Sequence, residues 1–267
     1  MRRVLFGGLA LSAVVAAGCS IPSAVAPQIR GSVGLPHSGF LTDSKELPQK
    51  GKGYEWRRTQ DHHYGLPRLV GMLEEASAKV VVARPNSQPV IMGELSAKGG
   101  GALMPTHRSH RTGRDVDVLF YVTSLEGAPI PNPDFVKIGP DGLGVSSAGR
   151  FVRFDTARQW LFIKSLVETK QAHVQWIFIS RVLEALLVEH AMALGEPSAL
   201  VQKAQTVMQQ PGDSLPHDDH IHVRIACEAE EYARGCDGGG PQWGWLPKPA
   251  PRVAVPPSEL VAMLVGP

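Results

Sequence analysis

Apolar and polar residues alternate with period two in two stretches of this chain, Val116, Val118, Phe120 and Val122 in the first and Ile221, Val223 and Ile225 in the second. Each predicts a strand with one buried face. Elsewhere the period lengthens to that of a helix. Leu69, Val70, Leu73 and Ala76 form an apolar stripe behind Pro67, a residue tolerated at a helix start because the N–H it lacks would be unpaired there. Trp160, Ile163 and Val167 predict a second helix, capped by Asp155 or Thr156 and reaching about Thr169. Leu183, Leu186 and Leu187 predict a third over Arg181 to Ala193, and a fourth runs from Pro197 to about Gln209, ended by Pro211-Gly212. Further strands are predicted at Val80-Val81-Val82 and Val90-Ile91-Met92, either side of the turn Arg84-Pro85-Asn86-Ser87, at Phe151 to Phe154, and where Val174, Trp176 and Phe178 alternate. Lys45 to Arg58 reads as a polar surface loop, Leu125 to Gly149 as an exposed Pro- and Gly-rich excursion, and Gly99-Gly100-Gly101 as either a cleft wall or a linker. Short strands mixed irregularly with helices predict an α+β fold: a small, mainly antiparallel sheet with helices on one face.

The polar residues of the two stretches carry the chemistry. Five of the ten histidines fall in the windows His107 to Asp117 and His217 to His222. Because side chains alternate across a strand, Asp115 and Asp117 point away from the apolar face of the first strand, and His220 and His222 away from that of the second. If the strands are neighbours, Asp117 and His222 meet on the open face, and His110, in the Gly-containing turn before the first strand, can fold back onto the same spot. One carboxylate and two neutral imidazoles suit a catalytic Zn²⁺, which keeps its fourth position for water. His217 or His220 is then available as a base. Alternation turns Asp219 away from His222. A lone His-x-His on a strand is commonly structural; His-x6-Asp followed by His-x2-His-x-His, each beside a strand, is far more specific. His62 and His63 read as solvated loop residues, and His190 as a packed or partly exposed helix residue.

These motifs resemble those of the penicillin-insensitive murein endopeptidases, part of the LAS metallopeptidases that also include lysostaphin, D-Ala-D-Ala peptidases and sonic hedgehog. The similarity extends to Leu47-Pro48 through Gly53-Tyr54, Tyr64-Gly65-x-Pro67, Gly93-Glu94-Leu95-Ser96, Gly99-Gly100, Trp176 to Ile179 and His222-Val223-Arg224, in order over roughly residues 40 to 248. The resemblance implies zinc on the sheet face opposite the helices, held by His110, Asp117 and His222, with His107 as an extra ligand in an inactive state. It implies His220 as general base and His217 as a residue that positions water or stabilises the oxyanion. It further implies a substrate, the D-alanyl to meso-diaminopimelyl cross-link of peptidoglycan. The chain departs from the family beside His107, where Thr106 and Arg108 replace smaller residues. Two other readings stay open: a zinc D-Ala-D-Ala carboxypeptidase, whose relatives use a Glu where this chain has Asp219, and a non-catalytic zinc-bearing wall-binding lipoprotein, against which His217 and His220 both argue.

The amino terminus changes the picture of where this happens. Met1-Arg2-Arg3 and the apolar Val4 to Ala17 form a signal peptide, too short for a span of ~20 residues. Val15-Ala16-Ala17-Gly18-Cys19-Ser20 resembles a bacterial lipobox, so cleavage after residue 18 would leave a lipidated Cys19; ordinary cleavage beside an incidental cysteine is the alternative. The organisation expected is residues 1–18 signal peptide, 19–42 lipid-anchored tether, 43–248 metallopeptidase domain and 249–267 Pro-rich tail, in a periplasmic, membrane-anchored lipoprotein. Losing Arg2 and Arg3 from 27 basic residues leaves 25 against 25 acidic ones, a neutral chain with no field for nucleic acid. With Cys19 occupied, Cys227 and Cys236 are the two thiols left in an exported chain, and a disulfide between them is the economical reading. A zinc site on them would lack further ligands nearby.

Overall fold

The computed structural model, which describes residues 30–59, 62–101 and 107–249, sets the two alternating stretches side by side within a seven-stranded sheet. Its elements begin with β1 (Ser32–Leu35), β2 (Ser38–Leu41), β3 (Lys45–Glu46), β4 (Lys50–Gly51), β5 (Tyr54–Trp56), β6 (Tyr64–Gly65) and α1 (Pro67–Ala83). There follow β7 (Val90–Met92), β8 (Asp115–Leu119), β9 (Val122–Thr123), β10 (Pro129–Ile130), β11 (Leu143–Val145), β12 (Phe151–Phe154) and α2 (Thr156–Glu168). The chain continues through β13 (Val174–Phe178), α3 (Arg181–Ala193), α4 (Ser198–Val207), β14 (Met208–Gln209), β15 (His220–Ile225) and α5 (Ala229–Ala233). The signal peptide, Cys19 and the tail beyond residue 249 lie outside the described residues.

The large sheet runs β14-β13-β15-β8-β7-β5-β4, and its pairs are antiparallel except β13 with β14 and β5 with β7. The α+β class therefore matches the expectation, while the sheet has seven strands and is not the small one expected. Val116, Val118, Ile221, Val223 and Ile225 share one core with Leu69 and Leu73 of α1, Trp160 and Ile163 of α2, and Leu183 and Leu187 of α3, all without solvent exposure. Burying each such side chain stabilises the fold by about 1.5–3 kcal/mol. Local signals operate as read: Pro67 opens α1, and the Asp155 carboxylate at the start of α2 accepts a hydrogen bond from the backbone N–H of Arg158.

Five expectations about the fold need correcting. Leu125 to Gly149 is not simply an exposed excursion, for it supplies β10 and β11 to a four-stranded sheet with β9 and β12 and buries Val136 and Ile138. Val80-Val81-Val82 is not a strand but the last turn of α1, because Val80 continues the stripe of Leu69, Leu73 and Ala76 into the core while Val82 faces solvent; helical packing outweighs β-branched propensity here. The stretch assigned to a tether up to residue 42 folds from Ser32 onward. The β1–β2 hairpin is held by the Gly34 N–H on the carbonyl of Gly235 and the Leu41 N–H on that of Gly99, and it buries Leu41. Gly113, at φ +72°, accommodates this, since a Cβ there would lie 2.6 Å from the Leu41 side chain. Lys45 to Arg58 is no free loop, for Leu47 and Tyr54 are buried and β5 pairs with β7. Finally, His63 is not solvated: its ring stacks on Trp56 at 3.7 Å between centroids and is 5% exposed.

Burial holds His63 neutral, its pKa pushed down to about 4, with Glu46 opposing the shift. Below its ordinary pKa of 6.5 the unfolded chain therefore binds a proton that the folded chain refuses. Stability from this group is complete above pH 6.5 and is lost as the pH falls through about 4, a contribution of order 3 kcal/mol. Denaturant titrations at pH 7, 5.5 and 4 are expected to show this loss, and His63→Phe, which retains the stack, to flatten it. An unaltered slope in the variant would place the proton uptake elsewhere.

Cys227 and Cys236 are joined, as expected, with α5 inside the loop. The fully buried Arg114 holds the segment beyond, donating to the carbonyls of Ile225, Asp237 and Gly238. Burial lowers its pKa to about 10, which still leaves it a cation. Closing a loop with a sequence separation of 9 stabilises by about 2.5 kcal/mol. Replacing both cysteines by serine is expected to lower Tm by about 5–10 °C in scanning calorimetry. No described helix is long and apolar enough to cross a membrane.

Candidate active site

In the β8–β15 ladder Asp117 stands directly opposite His222, and Asp115 opposite Arg224. His222 Nδ1 lies 2.9 Å from Asp117 Oδ1, His110 Nε2 3.4 Å and His220 Nε2 3.5 Å from the same oxygen. Three imidazoles from two distant stretches thus converge on one carboxylate. His107 joins them: its ring meets that of His110 edge-on at 5.4 Å, and His107, His110 and Asp117 offer ligand atoms within 4.8 Å of one another. His110, Asp117 and His222 are buried, while His107, His217 and His220 are partly open.

The backbone explains this convergence. The turn that delivers His110 is tied by the Arg111 N–H on the carbonyl of Pro36, by the Gly113 N–H on Ser96 Oγ and by the Gly101 N–H on the carbonyl of Arg111. The glycine run at 99–101 is therefore packed between β2 and the His110 turn. His110 at φ +65° and His217 at φ +54° adopt the left-handed conformation that costs a residue with a side chain, as ordered functional loops often do. The His217 loop is pinned from both sides, its carbonyl accepting from Ser180 N–H and that of Asp218 from Ile138 N–H.

His110 Nδ1 and Asp117 Oδ1 are buried without a hydrogen bond, and two nitrogen ligands beside a carboxylate oxygen are the donor set of a borderline cation such as zinc. The site therefore fits a metal. Burial alone would raise the Asp117 carboxyl, but His110 and His220 hold it well below the usual carboxylate range. Burial likewise disfavours charge on His220, yet Asp117 and then Asp219 outweigh it and lift its pKa to about 10. His217, with burial and two neighbouring imidazoles against it, is pushed down to about 4 and stays neutral.

Two further carboxylates belong to the site. Asp115, fully buried, accepts from His222 Nε2 at 2.8 Å and from Arg224 Nε at 2.6 Å. This bond fixes the tautomer of His222 and leaves its Nδ1 facing Asp117. Despite burial, Arg224 and His222 hold Asp115 well below the carboxylate range. Period two had put Asp115 on this face, but the partner across the ladder is not visible in a local pattern. The second is Asp219. Alternation turned it away, yet its Oδ1 lies 2.5 Å from His220 Nδ1. It stands just before β15, where the chain is not bound by the strand period, and its short side chain reaches round to its neighbour. Two aromatic rings flank the histidines: Phe135 meets His220 edge-on at 5.3 Å and carries the Arg58 guanidinium 4.6 Å from its ring centre, and Phe178 lies 5.4 Å from His222.

Comparison with known proteins agrees with this geometry. The sequence profile of the penicillin-insensitive murein endopeptidases matches residues 32–242. A penicillin-insensitive murein endopeptidase of Haemophilus influenzae strain Rd is 24% identical over 242 residues, which is 84% of this chain and 77% of that protein. Its counterpart in Escherichia coli strain K12 is 24% identical over 85% of this chain and 82% of its own length. The profile starts at Ser32, where β1 begins, and encloses both histidine windows and the disulfide. The match over residues 32–242, most of the chain, assigns it to the penicillin-insensitive murein endopeptidase family.

Proposed function

We propose that this protein is a zinc-dependent peptidoglycan hydrolase that cuts the cross-link between D-alanine and meso-diaminopimelate. The observation that carries this reading is the convergence of His110, His220 and His222 on Asp117, with ligand atoms left unpaired. The names of the relatives in Haemophilus influenzae and Escherichia coli support the substrate. His110, Asp117 and His222 would hold the ion on the sheet face away from the helices, with His107 able to close over it. When bound, the ion supplies Lewis-acid polarisation of the scissile carbonyl and of the attacking water.

The side chains supply the rest. With the Asp117 charge shared by a bound ion, His220 is released from the field that raises its pKa, and its neutral Nε2 takes a proton from water as the water oxygen adds to the carbonyl carbon. The same proton passes to the departing amine as the C–N bond breaks, so His220 ends as it began. Asp219 on Nδ1 keeps Nε2 turned toward Asp117 and steadies the imidazolium between the two transfers. His217, neutral beside His220 and donating its Nδ1–H to the carbonyl of Leu215, offers Nε2 as an acceptor that positions the attacking water. Asp115 holds His222 in register.

Digestion of purified peptidoglycan with identification of the products tests the reading. Conversion of cross-linked dimers to monomers is the expected result, whereas loss of a terminal D-alanine alone would make the protein a carboxypeptidase, and no product with metal bound would leave a wall-binding role. The chain is further proposed to act in the periplasm from a lipid anchor at Cys19. Wild type is expected in the detergent phase on partitioning, and Cys19→Ala in the aqueous phase or as an unprocessed precursor. Aqueous wild type would end the anchor proposal.

A further inference from the structure

A line of aromatic rings leads away from the candidate active site. In the β13–β15 ladder Phe178 lies opposite His222 and Trp176 opposite Arg224, so the ligand row Asp117–His222 continues into Phe178 and the row Asp115–Arg224 into Trp176. Phe178 and Trp176 stack at 5.4 Å, Trp176 meets Trp243 edge-on at 5.5 Å, and Trp243 stacks with Trp245 at 6.0 Å. The line ends at Trp245, which is 38% exposed. It is also held in place: Trp243 Nε1 donates to the carbonyl of Gln175, Gln175 Nε2 donates to that of Pro241, and Arg114 with the disulfide anchors the segment that brings Trp243 there.

Two features indicate a ligand beyond packing. Trp56, Trp160 and Trp243 each donate the indole N–H to a protein oxygen, whereas that of Trp176 meets no acceptor among the described residues. Gly240 packs beside this nitrogen, where a Cβ would lie 2.7 Å away and crowd any acceptor approaching it. The rings of Phe178, Trp176 and Trp243 are half-buried and that of Trp245 is exposed, and the Arg224 guanidinium lies 5.8 Å from the Phe178 ring centre. Such a surface matches a sugar ring, which offers a face of C–H groups to an aromatic plane and hydroxyl or amide oxygens to an N–H. The stem peptides of peptidoglycan, built of alanine and diacids, have no large apolar side chain to cover it. They are tethered to a glycan strand, so a cross-link held at His222 must carry its sugars onto the neighbouring surface.

We propose that Phe178, Trp176, Trp243 and Trp245 form a subsite for the amino-sugar rings of the glycan strand, with the Trp176 indole donating to a sugar oxygen. The proposal rests on the reading of the site as a peptidoglycan hydrolase, and it adds that the enzyme engages glycan as well as peptide.

The test titrates the metal-loaded protein with glycan strands stripped of peptide, following tryptophan fluorescence, and measures cleavage of cross-linked dimers with and without their sugars. Wild type is expected to bind stripped glycan; Trp176→Ala and Trp245→Ala to weaken that binding about tenfold, as loss of an anchoring aromatic does; and Trp176→Phe to retain the larger part. On sugar-bearing dimers KM should rise with kcat kept, and the sugar-free dimer should discriminate poorly between variant and wild type. Melting curves establish folding, and the exposed Trp245 serves if Trp176→Ala is unstable. The subsite is overturned if wild type ignores stripped glycan, if both variants bind it as wild type does, or if they lose sugar-free and sugar-bearing substrates equally. Glycan binding without any dimer cleavage would instead count against the hydrolase reading and leave the subsite standing.

Discussion

His220→Ala is expected to reduce cleavage of cross-linked peptides about 10²–10⁴-fold while the bound metal stays in place. The separation follows from the proposed roles, because the proposed ligands His110, Asp117 and His222 make up a three-residue set without it, and His220 is partly open to solvent. Asp219→Asn is the companion variant. Since Asp219 bonds to His220 Nδ1, its loss frees the ring to turn and removes a counter-charge to the imidazolium, and a loss of about tenfold is expected. A fall in kcat at constant zinc content, determined by turnover assay and metal analysis on the same preparations, identifies a base and its orienting partner. If His220→Ala remains active and Asp219→Asn is dead, the carboxylate is the base and the carboxypeptidase-like mechanism replaces the one proposed.

Removing a ligand should have the opposite signature. Purified wild type is expected to hold one zinc per chain, and His110→Ala or Asp117→Ala to weaken it by more than the ~10–100-fold typical of an outer partner. Asp117→Ala should also cost stability even in metal-free protein, because it strips the common counter-charge from three imidazoles and leaves His222, at 5% exposure, paired on one side alone. Asp115→Asn is the informative contrast: His222 stays in the ladder but its tautomer is released, so zinc affinity should fall within the ~10–100-fold range while the fold holds. Chelator competition measures all three. Equal zinc affinity in wild type and Asp117→Ala would remove Asp117 from the ligand set.

Period two carries a long way here, because it relates residues only two apart. It put Asp115, Asp117, His220 and His222 on polar strand faces, and the β8–β15 register then set Asp117 against His222. Helix starts were legible for the same reason: Pro67 and the Asp155 cap act on the backbone within one turn. What failed were judgments in which a local preference met a distant partner. Three valines in a row favour a strand until α2 and the sheet offer Val80 a place to pack, and adjacent loop histidines look solvated until Trp56 arrives over one of them. The glycine-rich stretch to residue 42 looks like a tether until Gly235 and Gly99 supply its hydrogen bonds.

Trp176 and Phe178 show the boundary most sharply. Their alternation with Val174 predicted a strand, but not which way it faced. A register shift between Val174 and Trp176 sends Val174 into the core and both aromatic rings to the side of the histidines. The proposed ligands and base are written in short motifs because each sits on a single strand or turn with a fixed period. The groups that orient them, and the surface that extends the cleft, depend on contacts between segments as far apart as Asp115 and Arg224, which only chain packing selects.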